Sequence, residues 1–86
     1  MEHKKKLNYC KKEYIELIEN CGFTQRQKEI FTLRREGLDI YEISIYDEKG
    51  EDGKQRFRYL PTSESTVKRE LKEIRRLIQE YVYVNF

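Results

Sequence analysis

The chain reads as a small all-α bundle of about four helices, with an optional short β-hairpin insert over residues 44–60. Three features predict this. Apolar residues recur at steps of three and four along several stretches, the spacing of one helix face. Side chains suited to capping a helix N-terminus, Thr24, Asp39 and Ser63, stand ahead of three of those stretches. Gly22 and Gly37 close the first two stretches, at the position where a left-handed C-terminal cap falls.

In chain order, Leu7, Cys10, Tyr14, Leu17, Ile18 and Cys21 predict an amphipathic helix over 7–21. Thr24 followed by Gln27 has capping-box spacing and opens a second helix over 24–36, with Ile30, Phe31 and Leu33 inward and Phe23 as a preceding staple. Asp39 with Glu42 repeats that logic for a short scaffold helix over 39–46, in which Ile40, Ile43 and either Ile45 or Tyr46 face inward. The helical pattern then stops. Residues 47–62 hold Gly50, the Asp52-Gly53 turn dipeptide and Pro61. Beyond that turn, Gln55-Arg56-Phe57-Arg58-Tyr59-Leu60 alternates polar and apolar as a strand does, and Ser44-Ile45-Tyr46 is its expected hairpin partner; an ordered or a flexible loop remains the other outcome. Ser63 caps the longest helix, over 63–82, with Val67, Leu71, Ile74, Leu77, Ile78 and Tyr81 as its stripe. The ending Tyr81, Val82, Tyr83, Val84, Asn85 and Phe86 is unusually aromatic, and reads either as a tail folded on the core or as a contact with a partner.

Composition bounds the function. Eighty-six residues allow one domain. Leu, Ile, Val and Phe make up about a quarter of them, above the roughly 20% below which a charged chain stays disordered. Eighteen basic residues nearly cancel sixteen acidic ones, and a net charge of +2 is too small for a non-specific polycation, so nucleic-acid binding must rest on local placement. No apolar run approaches the roughly 20 residues of a membrane helix, and no apolar signal stretch follows Lys4-Lys5-Lys6, so a cytoplasmic protein without a membrane partner is expected. Cys10, Cys21 and the single histidine, His3, are too few for a structural zinc site. No nucleophile stands near a base and no glycine-rich phosphate loop is present. Neither an enzyme, a metal nor a cofactor is expected.

Three segments carry a resemblance: Phe23-Thr24-Gln25-Arg26-Gln27-Lys28-Glu29-Ile30-Phe31-Thr32-Leu33, then Glu36-Gly37-Leu38-Asp39-Ile40-Tyr41-Glu42-Ile43, then Ser63-Glu64-Ser65-Thr66-Val67-Lys68 and onward to Ile74. Together they resemble the helix-turn-helix domain shared by LuxR-type regulators and sigma factor region 4. That family runs Leu-Thr-x-Arg-Glu-x-Glu-Val-Leu, then Glu-Gly-x-Ser-x-x-Glu-Ile-Ala, then a DNA-reading helix beginning Ser-x-x-Thr-Val-Lys. The resemblance spans roughly residues 23–77. One departure is large, because a helix-turn-helix turn has about three or four residues whereas residues 47–62 separate the two helices here. A loop on the solvent side leaves helix packing intact, and extra length costs only about 0.6 kcal/mol per doubling.

The resemblance implies a sequence-specific transcriptional regulator or sigma-like factor of a bacterium or a mobile element, whose partner is double-stranded DNA. Ser65, Thr66, Lys68 and Arg69 would then read major-groove edges, Lys72, Arg75 and Arg76 would hold phosphates, and Arg26 would hold one at the start of the second helix. Lys54, Arg56 and Arg58 would form a basic wing if the insert is a hairpin. Useful specificity in so small a unit calls for two half-sites, hence a homodimer, with Tyr81, Val82, Tyr83, Val84 and Phe86 as its contact. The competing reading is a helical protein-interaction module, an RNA polymerase adaptor or an antirepressor, that does not bind DNA. In it the basic residues are the solvated face of a charged helix, balanced by Glu70, Glu73 and Glu80.

Overall fold

The computed structural model describes residues 9–85. It is an all-α domain of four helices, α1 (Lys11–Asn20), α2 (Gln25–Arg35), α3 (Ile40–Ser44) and α4 (Glu64–Asn85), with no strand among the described residues. Local chemistry sets most boundaries. At α2, Gln27 N donates to Thr24 Oγ1 at 3.1 Å and Thr24 N donates back to Gln27 Oε1 at 2.9 Å. Asp39 and Glu42 make the same reciprocal pair at α3, both bonds 2.8 Å, and Thr66 N donates to Ser63 Oγ at 3.1 Å at α4. Each such cap contributes about 1 kcal/mol by satisfying an orphan backbone donor. The chain leaves α1 and α2 through Gly22 (φ 73°) and Gly37 (φ 103°), a left-handed conformation that a side chain would strain.

The core lies where α2, α3 and α4 meet. Ile30, Phe31, Leu33, Ile43, Val67 and Ile74 are its fully buried residues, flanked by Leu17, Phe23, Leu71 and Ile78. Phe31 is the aromatic centre, with the Tyr14 ring stacked at 5.5 Å and the Phe23 ring edge-on at 5.4 Å. α1 is held by polar tethers as well as by Leu17: Tyr14 bonds to Thr32 through their hydroxyls, Tyr81 Oη donates to Glu16 Oε2 at 2.6 Å, and Arg35 Nε donates to the Tyr9 carbonyl at 3.0 Å.

Three expected boundaries need correction, and of the outcomes left open for residues 47–62 the ordered loop is the one found. α1 begins at Lys11, after an exposed Cys10 whose N–H is capped by the Glu13 carboxylate, so Cys10 is not on the buried stripe; residues 7 and 8 lie outside the described residues. α3 ends at Ser44, leaving Tyr46 buried beyond the helix and Ile45 exposed. α4 runs past residue 82 to Asn85 rather than folding back. The hairpin between Ser44–Ile45–Tyr46 and residues 55–60 does not form. In its place stands one antiparallel bridge, Lys49 with Gln55, around a turn in which Gly50 N donates to Lys54 O at 2.7 Å.

The reason is that the groups a strand would use are taken elsewhere. Arg58 N and Tyr59 N donate to the Glu29 carboxylate at 3.1 and 2.9 Å, and the Ser44 carbonyl accepts from Thr62 N at 2.8 Å. Glu29 is 2% exposed and also accepts from Gln25 Nε2 at 3.3 Å. Leu60 is buried beside this anchor, and Phe57 packs on Tyr46 with ring centres 5.6 Å apart. The insert is therefore an ordered loop docked on α2. Glu29→Ala leaves two backbone donors unmatched and is expected to cost about 2–4 kcal/mol in urea unfolding. A loss near zero would show that Leu60 and Phe57 dock the insert alone.

Candidate nucleic-acid interface

α4 carries two faces. Val67, Leu71, Ile74 and Ile78 are buried against α2 and α3. At about 100° per residue, Ser65, Lys68, Arg69, Lys72, Arg75 and Arg76 fall within an arc of about 120° on the other side, and all six are exposed. Thr66, at the edge, is half-buried, and its hydroxyl oxygen accepts from Ser63 Oγ at 2.9 Å.

The carboxylates of α4 are mostly committed. Glu70 accepts from Gln27 Nε2 at 3.0 Å and pairs with Arg26 Nη1 at 3.4 Å, which ties α4 to the first turn of α2. Glu73 and Glu80 both pair with Arg76. The Arg76 contact holds the Glu73 carboxyl below the ordinary carboxylate range, and the same bonds raise the Arg76 guanidinium. Lys68, Arg69, Lys72 and Arg75 are left with no ion-pair partner among the described residues. Of the α4 acids, Glu70, Glu73 and Glu80 are thus turned to named partners and Glu64 is exposed, while four cations point outward without an ion pair among the described residues.

Two expected phosphate anchors are accordingly matched within the fold. Arg26 pairs with Glu70 through Nη1 and lies 6.0 Å from the Tyr59 ring centre, while its buried Nε has no hydrogen-bond partner among the described residues. Arg76 bridges Glu73 and Glu80. The three wing residues do not stand together on a strand. Arg56 is turned onto the bundle, with Nη2 2.7 Å from Glu36 Oε2, Nη1 2.9 Å from Tyr46 Oη and its guanidinium 4.8 Å from the Phe57 ring centre. Those bonds raise its pKa, chiefly through Glu36. Lys54 and Arg58 are exposed, the first in the turn and the second where the loop meets Glu29.

Sequence reasoning missed Glu29, Glu36 and Arg34 as residues that shape this surface, and it read Glu70 as a helix-spaced partner of α4's own cations where the structure ties it to Gln27 and Arg26 of α2. For Glu29 a signal existed, since it lies one turn before Leu33 on the buried stripe of α2, and a buried acid requires a partner. Arg34 is 6% exposed and donates from Nη1 to the Leu38 carbonyl at 2.9 Å, closing the C-terminal end of α2. Its pKa is lowered by burial first and by the neighbouring Arg75 second, with Asp39 acting in the opposite sense.

Cys10 and Cys21 are both free, and no group of three metal-binding side chains occurs among the described residues. No described helix is long and apolar enough to cross a membrane. Of the homodimer candidates, Tyr83 is 87% and Val84 77% exposed, Val82 is partly exposed, Tyr81 is half-buried against Glu16, and Phe86 lies outside the described residues. No protein-family model, curated protein or solved structure matches the chain.

Because Arg56 spends its donors on Glu36 and Tyr46, Arg56→Leu is expected to lower stability by about 1–2 kcal/mol, a half-exposed ion pair plus a cation–π contact. The salt dependence of duplex binding should not change with it. A changed salt slope at unchanged stability would instead mark Arg56 as a phosphate ligand.

Proposed function

We propose that the protein is a cytoplasmic, sequence-specific DNA-binding regulator or sigma-like factor that reads the major groove with the exposed face of α4. The observation that carries this is the charge separation on α4. α4 commits Glu73 and Glu80 to Arg76 at three- and four-residue spacing and Glu70 to α2, which leaves Lys68, Arg69, Lys72 and Arg75 unmatched along one arc. A helix with side chains is about 10–12 Å across and the major groove about 12 Å wide, so such a face fits the groove. Ser65, Lys68 and Arg69 stand nearest the helix N-terminus, the end that meets base edges in helix-turn-helix proteins. An Arg69 guanidinium suits guanine O6 and N7, and Thr66 keeps its hydroxyl proton for an acceptor at the groove edge. Lys72 and Arg75 come a turn later, where phosphates lie. Arg26 and Arg76 act in this scheme as internal partners of Glu70, Glu73 and Glu80. The likeness to the LuxR-type and sigma region 4 pattern supports the same assignment.

Two copies would supply two half-sites. Their contact is the end of α4, where Val82, Tyr83 and Val84 extend an apolar surface past the core. The same exposed end favours a second reading, an adaptor that docks on another protein such as RNA polymerase without touching DNA.

Amide shifts in a titration with a short mixed-sequence duplex at low salt are expected to cluster at residues 63–76 and to shrink at higher salt. Lys68→Glu with Lys72→Glu should weaken binding more than tenfold without loss of fold, because both side chains are exposed. An unmoved α4 in excess duplex would leave the adaptor. Separately, Tyr83→Asp with Val84→Asp should halve the mass measured by light scattering, and an unchanged mass removes this dimer contact.

A further inference from the structure

Beside the α4 face, Arg34, Arg75 and Gln79 line a cleft of about 240 Å³ together with Tyr9, Leu71 and Ile78. The local role of Arg34 is plain: its Nη1 closes α2 at the Leu38 carbonyl, and a cation suits a helix C-terminus. That role does not account for Arg75. A second guanidinium stands on the same cleft, close enough to act on Arg34, and neither makes an ion pair among the described residues. Asp39, the carboxylate that acts on Arg34, already accepts from Glu42 N as the cap of α3. Apart from the Nη1 bond, the Arg34 guanidinium makes no hydrogen bond to a described residue, and its remaining donors stay open to solvent on the cleft side rather than sealed in the core. Two like charges facing one cleft without a carboxylate between them are an arrangement that an anion completes.

We propose that Arg34 and Arg75 form a seat for one phosphodiester phosphate of the DNA backbone, on the flank of α4 that faces the end of α2. The seat rests on α4 being the DNA-reading helix. Arg75 belongs to both features: it lines the cleft and closes the basic arc of Lys68, Arg69 and Lys72. A helix lying in the major groove has a phosphate strand along each flank, so a guanidinium beside the helix meets a backbone oxygen rather than a base. Arg34, already fixed by Leu38, would offer its remaining donors in one orientation, and Arg75 would approach the same phosphate from α4. Such a contact fixes how far the helix enters the groove.

The experiment follows the guanidinium Nε–H signals of Arg34 and Arg75 together with the α4 amides. The protein is titrated first with a mixed-sequence duplex and then with inorganic phosphate. Binding of the same duplex to Arg75→Gln is measured over a range of salt. The seat predicts that duplex moves both guanidinium signals along with residues 65–72, and that Arg75→Gln weakens binding to unrelated sequences alike. It also predicts a fall in the log–log salt slope of about 0.9, one phosphate contact. Arg75 is exposed, so this variant keeps its fold, and Arg34→Lys, which keeps the charge but loses the fork, should weaken binding in the same direction. If duplex moves residues 65–72 while the Arg34 signal stays still and Arg75→Gln keeps its slope, the seat is overturned and the DNA-reading helix stands. If duplex moves nothing and inorganic phosphate moves Arg34 and Arg75, the cleft takes a free anion and both assignments to DNA fall. Silence in both titrations overturns the seat and the interface together.

Discussion

One buried carboxylate holds the insert in place. Glu29 accepts from Arg58 N, Tyr59 N and Gln25 Nε2 at the surface of α2, so a loop that leaves α3 is captured before it enters α4. Closing a loop of sixteen residues rather than one of four costs about 1.2 kcal/mol more in entropy, two doublings. Two charge-assisted bonds to backbone N–H groups, each of about 1.5–3 kcal/mol, exceed that. The Thr62–Ser44 bond and the Arg56–Glu36 pair then act on a loop already docked. The relation of α3 to α4 depends on α2 as much as on the chain between them.

The same principle organises the surface. Each acid that the fold can use has been given a structural partner: Glu29 the loop backbone, Glu36 the Arg56 guanidinium, Glu70 the start of α2, Glu73 and Glu80 the Arg76 side chain. A chain with a net charge of only +2 thereby exposes four cations on one arc of α4 without an ion-pair partner among the described residues. Formal net charge counts every group equally, whereas the field at a surface depends on which charges are already neutralised at contact distance.

Much of the fold was legible in the residues. Thr24 with Gln27, Asp39 with Glu42, Ser63, Gly22 and Gly37 each state a boundary through local chemistry, and the stripe from Val67 to Ile78 names the core side of α4. The insert was not legible, because its alternation of Phe57, Tyr59 and basic residues describes a strand and an extended docked loop equally well. What separates them is a side chain 29 and 30 positions away in sequence, Glu29. The exposed residues of the candidate interface followed from helix spacing. Which cations were left unmatched did not, since that depends on Glu70 reaching back to α2 and on Arg76 being claimed from both sides. Arg34 and Arg75 were hidden for a similar reason, meeting only when α2 and α4 pack.

The Thr62–Ser44 bond joins the two ends of the insert directly, and the Glu29 bonds pin its descending arm. The turn at residues 50–53 lies outside this clamp, exposed and closed by its own Gly50–Lys54 and Gly53–Gly50 bonds. Changes of length or sequence at that tip are therefore mechanically insulated from the helices. It is the natural place to attach a fluorophore, an affinity tag or a tethered domain while leaving α4 where the bundle holds it.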